Sequence, residues 1–125
     1  MSTVGLARRF EELLKNLFEA DGYTVAQNVR IGAAGAQIEV DLLVTSPTSG
    51  LRAVVEAKLY RSEQVGRGIL LNAARQTEAA RRAAHAHRGV LAITCRLDPM
   101  VRTELETTPN LIVYDYDVLA ALLVH

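Results

Sequence analysis

The chain has 125 residues, room for one hydrophobic core but not for a catalytic module beside a separate recognition module. Half of it is apolar and 22% is charged, which excludes a disordered chain, and no apolar run approaches the roughly 20 residues a membrane helix needs. The formal net charge of zero argues against tight, indiscriminate nucleic-acid binding, yet between Arg52 and Arg96 nine basic residues stand against only Glu56, Glu63 and Glu78.

Met1 to Phe10 carries charge and lacks the apolar core of a signal peptide, which points to a cytoplasmic protein. Residues 3–21 follow a helical period. Leu6, Phe10, Leu13, Leu14, Leu17 and Phe18 form one stripe, Ser2 or Thr3 can cap the start, and Gly22 stops it. Tyr23–Ile31 alternates as a strand and ends at the flexible Gly32–Gly35 stretch. Gln37–Thr45 and Leu51–Leu59 are two more strands, joined by a turn at Pro47, Thr48, Ser49 and Gly50. A long helix is expected from about Glu63 to His87, broken or delayed near Gly66 and Gly68, with Ile69, Ala73, Gln76, Ala80 and Ala83 on its inner face. His85 and His87 fall on different faces of it, a poor arrangement for zinc.

Gly89–Cys95 reads as a fourth strand. The lone cysteine rules out an internal disulfide and fits a reducing compartment. Asp98 and Pro99 open a short helix, Leu111–Tyr114 is a fifth strand, and Asp115–Val124 is a closing helix whose apolar run from Val118 serves the core or an interface. The order αβββαβαβα predicts a single α/β domain over residues 1–125, a mixed central sheet flanked by helices.

The chemistry concentrates in Ile38-Glu39-Val40-Asp41-Leu42 and Val54-Val55-Glu56-Ala57-Lys58. Strand side chains alternate between faces, so Glu39 and Asp41 share one face of their strand, and Glu56 and Lys58 one face of theirs. Charge on such apolar strands is expensive unless paired or bound to a metal. The short Pro47–Gly50 turn sets Asp41 across from Glu56, and Glu39 across from Lys58. A slip of one residue would separate them. Two adjacent carboxylates repel, and a hard cation such as Mg²⁺ relieves this while activating water and stabilising charge on a phosphodiester. A nearby ammonium supplies a second positive charge.

Asp41 followed by Glu56-Ala57-Lys58 resembles the bipartite D…(D/E)-x-K signature of the PD-(D/E)XK, restriction-endonuclease-like nucleases, whose αβββαβ core matches the predicted order. Val40 stands where the family's proline is often found. Within that superfamily the chain is most similar to the Mrr-type restriction endonuclease catalytic domain and related Holliday-junction-resolvase-like proteins. Gly5, Phe10-Glu11, Gly22-Tyr23 and Ile38–Leu42 take the places of that group's helix glycine, Phe-Glu pair, Gly-Tyr and acidic motif. The resemblance spans nearly the whole chain and implies a Mg²⁺- or Mn²⁺-dependent endonuclease acting on nucleic acid, with double-stranded or branched DNA as the expected substrate. It implies Asp41 and Glu56 as metal ligands, the backbone carbonyl of Ala57 as a third, and Lys58 as the catalytic cation.

A first-helix glutamate joins that set by the same resemblance. On a helical wheel Glu11 lies beside Leu14 and Phe18 at the edge of the buried stripe, whereas Glu12 is about 100° further round, so Glu11 is the expected ligand, direct or through water. Some branches of the superfamily send a helix glutamine into the site, which makes Gln76 a candidate supporting residue; an inward amide bonded to backbone is the alternative. Glu39 is a second acid, a partner for Lys58, or plain surface. Arg61, Arg75 and Arg82 are candidate nucleic-acid contacts, with a solvated face as the plainer reading. Cutting both strands of a duplex calls for two active sites, hence a homodimer, and a domain this small leaves recognition to dimerisation, a partner in a larger defence or repair complex, or nucleic-acid structure. The rival function is a non-catalytic nucleic-acid-binding or assembly module that keeps the nuclease fold.

Overall fold

The structure is a computed structural model that describes residues 3–32, 37–62 and 64–124. The expected cap at Ser2, the Gly32–Gly35 stretch beyond Gly32, and Glu63 lie outside the described residues. Four helices and five strands follow one another as α1 (Thr3–Ala20), β1 (Thr24–Ile31), β2 (Ile38–Thr45), β3 (Arg52–Lys58), α2 (Arg67–Ala83), β4 (Arg88–Ile93), α3 (Pro99–Leu105), β5 (Leu111–Tyr114) and α4 (Tyr116–Leu123). The sheet order is β1-β2-β3-β4-β5, the expected α/β architecture with a mixed sheet. Connections of only a few residues permit only antiparallel neighbours, so β1, β2 and β3 form a meander. The crossovers through α2 and α3 make β3, β4 and β5 parallel. Among the described residues no helix is long and apolar enough to cross a membrane.

Both faces of the sheet are covered. On one, Phe10 and Leu14 of α1 and Leu119 of α4 pack on Leu42, Val44, Val55 and Val90. On the other, α2 crosses the sheet obliquely. Leu70, Ala73 and Ala74 meet Leu91, Ile93 and Val113, with Leu105 of α3 in the same cluster. Ala80 and the following Ala84 lie in one cluster with Val40 and Val54. The alanines permit this close approach. At Gly89 a Cβ would lie 3.0 Å from the Thr77 methyl.

The long helix is delayed at Gly66 as expected, but it ends early and is rotated from expectation. It starts at Arg67 with Gly66 as its cap residue, and it stops at Ala83, followed by His85 in the left-handed region at φ 53°. Its buried residues are Leu70, Ala73, Ala74, Thr77, Glu78 and Ala80, whereas Gln76 is exposed, Ile69 is 57% exposed and Ala83 is half-buried. Alanine occurs on both stripes and cannot distinguish them. The sheet takes the one carrying Leu70, and Thr77 is admitted because its hydroxyl donates to Ala73 O at 2.8 Å. His87 is structural: its Nδ1 accepts the Arg52 N–H at 3.1 Å.

Asp115 is also structural, and nothing in the local pattern beyond its capping position announced its burial. It is 2% exposed, accepts from Val118 N–H and Leu97 N–H, and pairs with Arg102 at 2.7 Å. Cys95 is buried among apolar neighbours.

Candidate active site

The site lies where β2 and β3 part. Their ladder pairs Thr45 with Arg52 through to Leu42 with Val55, the register that carries Asp41 towards Glu56. One step later the regular ladder stops. The Ala57 N–H, which would otherwise seek a β2 carbonyl, donates instead to Asp41 Oδ2 at 2.8 Å. The expectation of a flat face-to-face Asp41–Glu56 pair is therefore corrected. The register is as read, but Asp41 projects into the gap at the end of the ladder and does not stand upright on one face.

The faces on either side of Asp41 explain why. Leu42 and Val44 pack under α1, whereas Val40, only two residues from Leu42, belongs to the cluster containing Ala80 of α2. Residues two apart in a regular strand share a face, so β2 turns over at Asp41. Asp41 consequently reaches both ways. Its charge is felt by both Glu11 on α1 and Glu56 on β3.

Glu56 is 8% exposed. Burial, and after it the charge of Asp41, pushes its carboxyl up to about 8, against the opposing pull of Lys58. Glu11 is raised in the same direction, again first by burial and then by Asp41. Glu12 points elsewhere, accepting from Gln27 Nε2 at 3.1 Å. Of the two first-helix acids, Glu11 is the one that feels the charge of Asp41.

Lys58 makes no ion pair among the described residues, with Glu39 or any other acid. Glu39, Glu56 and Lys58 line a cavity of about 300 Å³ with Ile38, Gln76 and Ala79. Gln76 thus borders the site from the exposed rim of α2 rather than from within the core. On the α1 side Arg8, Glu11, Glu12, Gln27 and Asn28 line a second cavity with Val4. A cavity elsewhere, between Leu70 and Val101, holds Asp98 as its only acid among the described residues, and that carboxylate caps α3.

Arg75 and Arg82 are exposed and lie one turn to either side of Ala79 on α2, flanking the cavity. Arg82 is already held by Glu78 at 3.0 Å, and Arg81 by the same carboxylate at 2.6 Å. Arg61 is exposed just beyond β3.

Hard oxygen donors crowded enough to hold a proton at neutral pH are the chemistry a divalent cation fits. Among the described residues no three His, Cys, Asp or Glu side chains converge as a complete metal cage. Asp41 and Glu56 would need further oxygens. The Ala57 carbonyl is available, since N–H and C=O of a strand residue point to the same edge and its N–H faces the gap. The residue that strand alternation missed is Asn28, whose φ of 51° sits opposite Asp41. An asparagine inside an otherwise apolar-alternating strand was the available signal, because Asn tolerates the left-handed region.

A family model described as restriction endonuclease, the Mrr catalytic type, matches residues 6–123. A crystal structure of a protein of unknown function, AF1548, superposes with a TM-score of 0.69 at 16% identity, over 87% of this chain and 62% of that one. Can2 from Sulfobacillus thermosulfidooxidans, solved with cyclic tetra-adenylate, gives 0.66 at 13% identity over 94% of this chain and 35% of that one. A repair endonuclease from Pyrococcus abyssi gives 0.53 at 15% identity over 92% and 46%. The chain spans less than two thirds of each of these three, and at such identities the likeness is one of fold. No curated protein matches.

Proposed function

This chain belongs to the Mrr-type restriction endonuclease family, and from that premise we propose that it is a divalent-metal-dependent endonuclease that hydrolyses phosphodiester bonds in DNA. The observation that carries the proposal is the Asp41 carboxylate held on the Ala57 N–H where β2 and β3 part, beside Glu56 and Lys58. Asp41 and Glu56, with the Ala57 carbonyl and Glu11 directly or through water, are the residues that would hold Mg²⁺ or Mn²⁺. Such an ion supplies a water of lowered pKa and Lewis-acid stabilisation of a phosphoryl oxygen.

The remaining work falls to the chain. Lys58, on the same side of β3 as Glu56, donates to a non-bridging phosphate oxygen and offsets the charge that grows there as water attacks in line. The Asp41–Ala57 hydrogen bond fixes one carboxylate oxygen and leaves the other for ligation. Arg61, Arg75 and Arg82 are proposed to hold the flanking backbone, Arg75 most freely because Arg82 must share Glu78. Two copies would present two such centres to opposite strands, and the chain would act in the cytoplasm.

The test is a cleavage panel of plasmid, methylated plasmid, single strands, junctions and RNA, each with Mg²⁺ and Mn²⁺. Asp41→Ala and Lys58→Ala are each expected to lower metal-dependent cleavage by about a hundredfold or more with the fold intact. Undiminished cleavage by both would sink the assignment. The zero net charge favours a second reading, a nucleic-acid-binding or assembly module without catalysis. Calorimetry showing no Mg²⁺ or Mn²⁺ binding, together with no cleavage of any substrate, would select it.

A further inference from the structure

β1 and β2 keep one register along their length, Thr24 with Thr45 through to Ile31 with Ile38, yet the ladder omits a single pair, Asn28 with Asp41. On one side of that pair Val25 and its partner Val44 pack beneath α1. On the other side Ile31 and its partner Ile38 pack with the cluster of Ala80 and Ala84. Positions 25 and 31, like 38 and 44, would share a face in an unbroken strand. Both strands therefore turn over together at Asn28 and Asp41, without gaining or losing a residue.

The β1 half of this turnover is made by Asn28 at φ 51°, a conformation that Asn and Gly adopt readily and β-branched residues resist. The β2 half leaves the Asp41 side chain aimed into the gap between β2 and β3, where it meets the Ala57 N–H at 2.8 Å.

We infer that Asn28 is a positioning residue for the nuclease centre: its left-handed backbone turns β1 and β2 over as a unit and thereby delivers Asp41 to the Ala57 amide. The inference rests on the reading of Asp41 as an acid of the site. It assigns the effect to the backbone of Asn28 rather than to its amide group, although that residue also borders the cavity containing Glu11.

Asn28→Gly and Asn28→Val separate the two. Each is measured for plasmid cleavage with Mn²⁺ and, without metal, for hydrogen exchange at the Ala57 amide by NMR. Glycine keeps the conformation and is expected to hold kcat within about threefold of the parent, with Ala57 still protected. Valine is expected to lower kcat by about 5- to 30-fold with KM little changed. It should speed exchange at Ala57 by a similar factor, while the Leu42–Val55 ladder keeps its protection. If Asn28→Val does not fold, Asn28→Ala is expected to shift both readouts the same way by a smaller factor.

Valine with parental kcat and an undisturbed Ala57 amide would overturn the inference. Glycine as damaging as valine would also overturn it, by assigning the effect to the side chain. Should the parent cleave no substrate at all, the nuclease reading fails on its own, and exchange at Ala57 still decides whether Asn28 positions Asp41.

Discussion

Replacing Glu56 with Gln tests whether the site stores repulsion that a cation would relieve. In the folded chain this carboxyl is pushed up to about 8 by burial and by Asp41, from an ordinary value of 4.5. The sign follows from proton linkage. Below pH 4.5 both folded and unfolded chains hold the proton and Glu56 costs nothing. As pH rises from 4.5 towards 8 the unfolded chain releases it while the folded chain does not, so stability falls, and above about 8 the loss levels off. With about 1.4 kcal/mol per pKa unit, the cost at pH 7 is on the order of 3 kcal/mol. That corresponds to roughly 10 °C in melting temperature for a domain of this size.

Glutamine cannot ionise, so it carries none of this pH-dependent cost. Thermal melts of the parent and Glu56→Gln in EDTA at pH 5, 7 and 8.5 should therefore nearly coincide at pH 5 and diverge as pH rises, the variant being the more stable. Adding Mg²⁺ should raise the parent and leave the variant almost unchanged, since only the parent keeps both carboxylates. The variant should also lose cleavage. A gap between the two proteins that stays constant from pH 5 to 8.5 would refute the reasoning, because it would show that Glu56 titrates alike in both states.

Further expectations concern neighbouring residues. Glu11→Gln should weaken Mn²⁺ binding about tenfold by calorimetry, whereas Glu12→Gln, which loses only a surface bond to Gln27, should change it by less than about twofold; equal effects would undo the choice between them. Gly89→Ala places a Cβ 3.0 Å from the Thr77 methyl and should cost about 1–2 kcal/mol in urea unfolding, as α2 is pushed off β4. Asp115→Ala removes the α4 cap and the Arg102–Asp115 ion pair, leaving Arg102 to Glu106, an expected loss of roughly 2–3 kcal/mol by the same assay. Burial acts to raise the Asp115 carboxyl, but the Val118 and Leu97 N–H groups and Arg102 outweigh it and hold it below the ordinary 3.8. Its stabilisation should therefore be intact at neutral pH and disappear only as pH falls below that value, visible as a steeper acid limb in the parent than in the variant.

Much of this molecule is local in origin and was legible as sequence. The helical stripe of α1, the alternating strands, the Pro99 helix start and the αβββαβ order follow from periods of 3.6 and 2 and from turn chemistry, none of which needs distant contacts. The Pro47–Gly50 turn likewise set the β2–β3 register that brings Asp41 towards Glu56. Tertiary structure decided what local patterns leave degenerate. An alanine-rich helix offers two apolar stripes, and only the sheet beneath it selected Leu70 and Thr77 and turned Gln76 to the rim. Alternation assigns a side chain to one of two faces, but β1 and β2 turn over together at Asn28 and Asp41. Asp41 consequently lies in the gap between strands, where it meets a backbone N–H and its charge is felt by two glutamates from different elements.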